Sequence, residues 1–307
     1  MNIIYDVSSE IERIGQSIRR FGSKPEHNVH HYMNNEPKNG KNIVFDFGDD
    51  RKILANHNEK MDVWSLFPSG VFAPEDESIG LLREFCSYCL EKKGCEKILM
   101  ELEESIFHKF NSALKLDDSG KLKISSINHT YHWPIIDLKK WDCDLRGKDW
   151  HRIRNIIKNA RRKNNLSIKA CSKISGDLLK NVVYEWKSSR KGTDKTDYLQ
   201  YTNFIDNGFE GIDYAFSILA NGEPCSISAG WKIPNTNSFY LSIILHNYRI
   251  NGMGELMYIQ SLNDLKNMRF DAINLGGSEN SLLSFKEKFK PHQMHKTYEF
   301  TVKNGNN

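Results

Sequence analysis

Between Ser238 and Gly277 the chain spells out a strand, a glycine turn, a helix and a second strand. Ser238-Phe239-Tyr240-Leu241-Ser242-Ile243-Ile244-Leu245 is apolar and β-branched, as a buried strand requires. Arg249-Ile250-Asn251-Gly252-Met253-Gly254 follows, and then Glu255 to Leu265, in which Leu256, Ile259, Leu262 and Leu265 recur at helical spacing. Phe270-Asp271-Ala272-Ile273-Asn274-Leu275 returns to extended character before Gly276-Gly277. A glycine turn between strand and helix exposes backbone N–H groups at a helix N-terminus. Those donors and the helix dipole, about half a positive charge, favour a phosphate or pyrophosphate. Gly252 and Gly254 carry no side chain that would block such a ligand or forbid positive φ. The same glycines also suit a tight turn that binds nothing.

The 307 residues suffice for two domains with real cores. A 39% hydrophobic and 27% charged composition is that of a soluble globular protein. No apolar run approaches the roughly 20 residues of a membrane-spanning helix, and the N-terminus lacks the basic-then-apolar order of a signal peptide. A cytoplasmic location is the default expectation. A net charge of +4 is too mild to imply nucleic acid by itself, so the distribution of charge matters more. Cys86-x-x-Cys89 with Cys95 has the look of a metal or redox set. However, Leu81, Leu82, Phe85, Cys89 and Leu90 share one helix face and no second pair completes a tetrahedral set, so buried free thiols and no metal are expected.

Along the chain, Ile11, Ile14, Ile18 and Phe21 mark a helix over 7–21, and the polar 22–42 segment reads as a long surface loop. Short strands at 43–47, 53–55 and 63–67 lead to a helix at 79–92, a strand at 97–102, a helix at 104–113, a turn at 117–120 and a strand at 122–125. The second half repeats this order: a basic helix at 150–164, a strand at 166–170 and helices at 177–189 and 198–207. Hairpin strands at 214–219 and 225–231 turn at Asn221-Gly222. After the 238–277 stretch come a helix at 281–289 and a last strand at 296–302.

Arg249-x-x-Gly252-x-Gly254 in its β-α-β context resembles the pyrophosphate loop of the GNAT N-acyltransferase superfamily. The element order of 166–302 looks like a GNAT domain, and the first half like a degenerate second copy. Such tandem folds occur in Fem-type peptidyltransferases and in the C-terminal part of lysylphosphatidylglycerol synthase. The tail from Ile273 to Glu279, with Leu282-Leu283-Ser284-Phe285-Lys286-Glu287-Lys288-Phe289-Lys290-Pro291, is similar to their last strand, loop and helix. Pro134-Ile135-Ile136-Asp137-Leu138, Gly147-Lys148 and the helix from Arg152 resemble their linker into the second domain. The resemblance implies an α/β protein of two tandem GNAT-like domains with mixed, mostly antiparallel sheets, 1–140 degenerate and 141–307 catalytic. Its glycine loop implies an acyl-CoA donor and an amine acceptor. Its tandem layout and tail imply an aminoacyl-tRNA donor and a lipid, peptide or small-molecule acceptor. A non-catalytic binding module of the same fold is a third reading.

GNAT-type transfer is direct attack on an activated carbonyl. It needs a held donor, a base, oxyanion stabilisation and a proton for the leaving group. The resemblance implies Gly252, Met253 and Gly254 N–H groups with Arg249 for the donor phosphate, and a Leu245 backbone group for the carbonyl. Glu185 and His246 are candidate bases and Tyr298 a candidate acid. Glu185 also reads as a solvated helix residue, His246 as a satisfied loop histidine, and Tyr298 as core. Asn274, Gly276, Lys286 and Lys288 are implied at the acceptor or donor, against a reading of the two lysines as a solvated face over inward Phe285 and Phe289. Arg152, Arg154, Lys158, Arg161, Arg162 and Lys163 alternate with Ile153, Ile156, Ile157 and Ala160. They form either a solvated face or a cationic surface for tRNA or an anionic head group.

Overall fold

The computed structural model describes residues 1–117, 120–190 and 198–305 and separates into two compact units. The centre of the turn expected at 117–120, Asp118-Ser119, lies outside the described residues. The first unit opens with β1 (Asn2–Ile4), α1 (Ile11–Phe21) and α2 (Val29–Asn34), followed by β2 (Gly40–Gly48), β3 (Arg51–Asn58) and β4 (Val63–Phe72). It continues through α3 (Glu75–Ser87), β5 (Lys97–Glu103), α4 (Glu104–Lys115) and β6 (Leu122–Asp137). The second unit takes the end of β6, from Ile135, and then α5 (His151–Lys163), β7 (Leu166–Ala170), α6 (Gly176–Ser189), α7 (Leu199–Asp206) and β8 (Tyr214–Ala220). After these come β9 (Glu223–Pro224), β10 (Ser226–Lys232), β11 (Ser238–His246), α8 (Met253–Asn267) and β12 (Ala272–Asn274). The chain returns to the first unit with α9 (Asn280–Glu287) and β13 (Gln293–Asn304).

In the first unit the strands run β1-β2-β3-β4-β5-β13-β6. β4 and β5 are parallel, while β1–β2, β2–β3, β3–β4 and β5–β13 are antiparallel. The period of two along these strands makes both faces of the sheet apolar. Ile43, Phe45, Ile53 and Ala55 pack with Leu82 and Phe85 of α3 and Phe107 and Phe110 of α4. Val44 and Leu54 turn the other way, onto Ile14 and Ile18 of α1 and Tyr32 of α2. Cys86, Cys89 and Cys95 belong to the first of these cores as free thiols, their ionisation suppressed by burial.

Two readings of this half are corrected. The 22–42 segment is not a surface loop throughout. Asn28 caps α2 by accepting from His31 N–H at 3.0 Å, and Glu26, His27, His31, Tyr32 and Asn34 are buried. The domain cut expected at 140 also moves: Gly277–Asn307 sits with the first unit, because β13 pairs with β5 from Thr297↔Glu103 to Lys303↔Lys97.

In the second unit the order is β6-β12-β11-β10-β8-β7, with β9 on β8. β11 and β12 are parallel, and the other neighbours are antiparallel. Asn221 and Gly222 both take left-handed φ, 55° and 92°, at the hairpin turn expected there. Residues 134–137, read as linker, finish β6: Ile135–Asp137 pair with Asn274–Ala272 of β12 and Ile136 is buried. Each unit therefore carries a mixed, mostly antiparallel sheet with one parallel pair joined through a helix.

Candidate active site

The parallel pair of the second unit separates early. β11 and β12 are paired at Ser238↔Ala272, Phe239↔Ile273 and Tyr240↔Asn274, where β12 ends. Among the described residues no strand pairs with Leu241–His246 on that side. The separation coincides with a bulge: Ala229↔Ile243 and Trp231↔Tyr240 leave Leu241 and Ser242 opposite Gly230 alone. Gly230 is required there, since a Cβ would lie 2.0 Å from Tyr240 O.

The open edge presents particular backbone groups. Asn247 N–H is turned toward β10, donating to Cys225 O at 2.8 Å. Polar groups alternate sides along a strand, so Leu245, paired with Ile227, turns its own toward β10 as well. Ile244 and His246 turn theirs to the unpaired edge. The backbone groups of Leu245, expected to meet a carbonyl, are thus turned to β10, and those on the unpaired edge belong to Ile244 and His246.

His246 closes β11. Its Nδ1 is buried without a hydrogen-bond partner, and burial pushes the imidazole down to about 4 against the opposing charge of Glu255. At neutral pH it is an uncharged ring with a free nitrogen, the state a general base requires. Tyr248 lies against it, with ring centroids 4.5 Å apart. Glu185 of α6 is exposed, and its Oε2 accepts from Asn247 Nδ2 at 2.6 Å. It fixes the residue after His246.

The glycine turn is used differently from expectation. Gly252 caps α8 at φ 85°, and a Cβ there would lie 2.7 Å from Ile156 Cγ2 and 3.4 Å from Ala160 Cβ of α5. Met253 N–H donates to Ile250 O at 3.2 Å and is not free for a phosphate. Glu255, 8% exposed, sits in the first turn of α8, where its carboxylate already answers the helix dipole. Gly254 is buried and Arg249 exposed. The missing Cβ of Gly252 is thus explained by close packing on α5.

α5 presents the cations expected of it. Ile153, Ile157 and Ala160 are buried, while Arg152, Lys158, Arg161, Arg162 and Lys163 are exposed and form no ion pair among the described residues. A shallow depression of about 550 Å³ is lined by Arg161, Arg162, Lys163 and Asn164–Leu166. Arg154 departs from the set: its Nη1 donates to Gly147 O at 2.8 Å and also to Leu145 O, tying the preceding loop to the helix.

A family model described as phosphatidylglycerol lysyltransferase, C-terminal, matches residues 38–300. The chain belongs to that family. Among curated proteins none matches the sequence. Among solved structures, the chain is similar to the C-terminal domain of a putative lysylphosphatidylglycerol synthetase from Agrobacterium fabrum, at 13% identity, with 97% of this chain and 92% of that one covered and a TM-score of 0.66. It is similar to L-PGS from Bacillus licheniformis at 16% identity, 96% and 92% covered, TM-score 0.63. A tandem GNAT protein from the clavulanic acid biosynthesis pathway gives 9% identity, 99% and 98% covered, TM-score 0.59. At such identities the likeness is one of fold, and that fold is the tandem GNAT arrangement. The phosphatidylglycerol lysyltransferase C-terminal family is a family of transferases, and among the described residues no helix is long and apolar enough to cross a membrane.

Several residues that the resemblance implied for this family member lie elsewhere. Tyr298 is on β13 in the first unit, where its hydroxyl donates to Glu104 Oε1 at 2.5 Å and its ring packs on Phe107 at 5.0 Å. The alternation of β13 puts it on the core side with Phe300 and Val302. Lys286 of α9 is 4% exposed, and burial pulls its ammonium down to about 7. It is not on a solvated face. Lys288 is exposed, with its Nζ 4.6 Å from the centre of the Phe285 ring. Asn274 is buried and its Oδ1 accepts from Gly276 N–H at 2.8 Å, shaping the turn after β12. Sequence reasoning missed Glu255, Asn247 and Tyr248. An acid directly after a G-x-G turn, in the first turn of a helix, was the available signal for Glu255.

Proposed function

We propose that this protein transfers an aminoacyl group from an aminoacyl-tRNA to a hydroxyl or amine acceptor, at the open edge of β11 in the second unit. One observation carries the choice of donor. In the glycine turn that suggested coenzyme A, Gly252 packs closely on α5 and Met253 N–H is already bonded, while α5 offers five exposed cations that form no ion pair among the described residues. Phosphate contact by such a helix suits a nucleic acid backbone.

In this reading the acceptor attacks the ester carbonyl lying beside Ile244–His246. Neutral His246 takes the acceptor's proton, and backbone N–H groups on the unpaired edge face the developing oxyanion. The proton then passes to the departing ribose oxygen. Glu185, through Asn247, holds the strand end in place. The family name supports a lysyl or related aminoacyl group as cargo, and a cytoplasmic location suits a tRNA substrate.

The test is binding of aminoacylated tRNA across a salt series. Changing Lys158, Arg161 and Arg162 together to Gln should weaken binding at least tenfold and flatten the log–log salt slope by about 2–3. Coenzyme A and acetyl-CoA at millimolar concentration should leave the melting temperature unchanged. Undiminished tRNA binding in the triple variant overturns the reading. A coenzyme A shift abolished by Gly254→Trp would restore the acyl-CoA donor instead.

A further inference from the structure

The first unit repeats the separation of a parallel pair and fills it with carboxylates. β4 and β5 are paired at Trp64↔Ile98 and Ser65↔Leu99. Beyond that, β4 carries a large bulge: Ile53↔Val71 and Ala55↔Leu66 set Phe67–Gly70 opposite Leu54 alone. β5 continues with Glu101 and Glu103 on one face, while Ile98, Met100 and Leu102 fill the core on the other. Over the bulge lies the Ser23–Asn28 segment. His27 Nε2 bonds Ser69 O at 2.8 Å, and His27 Nδ1 accepts from Ser23 N–H at 2.9 Å.

This segment delivers Glu26, 6% exposed, with its Oε2 buried and without a hydrogen-bond partner. Glu26 faces Glu101 and Glu103, and Glu299 lies directly across β13 from Glu101 in the register. Lys24 bonds Glu103 at 2.6 Å at the more exposed end of the group, and among the described residues no ion pair to Glu26, Glu101 or Glu299 is formed. His27 is held uncharged, its imidazole pulled down to about 4 by burial. The remaining neighbours are polar or aromatic. Thr297 donates to Glu101 Oε1 at 2.5 Å, Trp133 Nε1 donates to Thr297 Oγ1 at 3.0 Å, and His295 stacks on Trp133 at 5.6 Å. Tyr131 donates to Glu299 at 3.4 Å.

Carboxylates gathered in a poorly solvated place need a counter-charge. Among the described residues no group of His, Cys, Asp and Glu converges closely enough to hold a metal ion. We infer that the first unit holds a binding site for an organic ammonium group, received by Glu26 and Glu101 and flanked by Trp133 and His295. The unpartnered Glu26 oxygen is its floor and the Glu103–Lys24 pair stands at its mouth. A primary ammonium brings three donors to a place where Glu26 Oε2 has none, and an aromatic flank suits an organic cation. In the empty site burial and the charge of Glu101 push the Glu26 carboxyl up to about 8, so it holds a proton at pH 7. A bound ammonium ion reverses that balance and expels the proton.

The experiment is calorimetric titration of the full chain with 1,5-diaminopentane at pH 7, in two buffers of different ionisation enthalpy. The expected result is one site per chain with release of up to one proton, and at least tenfold weaker binding in Glu26→Gln and in Glu101→Gln. In Glu26→Gln proton release also disappears. Magnesium chloride should give no heat of binding. Absence of diamine binding at millimolar concentration, binding unaltered in both variants, or magnesium competing for the site would each overturn the inference. Two variants guard against one failing to fold, and neither touches α5 or His246, so transfer and tRNA binding are separate readouts.

Discussion

The two units share a backbone device and use it with opposite charge. Each has a parallel pair of strands joined through a helix, and in each the pair parts beside a bulge, Phe67–Gly70 in β4 and Leu241–Ser242 in β11. The entrances to the helices differ. Pro74 precedes α3, and Glu75, Asp76 and Glu77 in its first turn complement the dipole from the surface. α8 begins at a left-handed glycine pressed on a neighbouring helix, with a buried glutamate in its first turn. The openings differ as well. Half-buried glutamates gather round buried Glu26 at the first, and an uncharged histidine with an unpartnered nitrogen ends the strand at the second. One backbone pattern thus yields a place suited to a cation and a place suited to a polarised carbonyl.

The largest expected effect separates the units by pH. Glu26 titrates near 8 when folded and near 4.5 when unfolded, so the folded state binds the extra proton between those values. Its burial costs nothing below pH 4.5, and the cost grows as pH rises to 8. Glu26→Gln should therefore gain on the wild type by up to about 4 kcal/mol between pH 4.5 and 8, read from urea midpoints. Parallel pH profiles for the two proteins would mean that Glu26 is normally solvated, and the contrast between the units would fall with it.

Next comes the glycine. Gly252→Ala forces a Cβ to 2.7 Å from Ile156 Cγ2 at φ 85°, and should cost about 3 kcal/mol. Glu75→Ala, in the first turn of the corresponding helix, should lower the melting temperature far less, because Glu75 is exposed and pairs with surface Lys109. A mild Gly252→Ala would show that the turn is looser than its packing on α5 indicates, and would reopen the phosphate reading.

How much of this was legible in the sequence depended on whether a residue's neighbours are near it in the chain. β11, α8 and β12 were readable because Leu256, Ile259, Leu262 and Leu265 set a helical period between two apolar runs. Glu26 was not. Pro25-Glu26-His27 lies in a polar stretch that looks solvated, and its burial comes from β4 and β5, distant in sequence. The Asn28 cap and the Tyr32 that follows were the local signs that 22–42 is not a loop throughout. Tyr298 was decidable from alternation alone, since Phe300 and Val302 share its face and are core. That Lys286 is buried was not legible, because its charge suggested solvent, whereas Phe289 three residues on is 1% exposed. The glycine turn was located correctly, but what Gly252 packs against, Ile156, lies far upstream.

The effect closest to the chemistry belongs to His246. Its folded value of about 4 lies below the unfolded 6.5, so in this range the unfolded chain binds more protons. The wild type then keeps its full stability above pH 6.5 and loses part of it as pH falls toward 4. His246→Gln has no such proton to take up, and the difference between the two should change by about 3 kcal/mol across that window. The direction is opposite to that of Glu26: acid relieves the first unit and strains the second. On the transfer reading the same substitution slows aminoacyl transfer by a factor of about 100 or more while tRNA affinity stays constant. Loss of both together would place His246 in the fold and not in the proton transfer, leaving the open edge of β11 without its base.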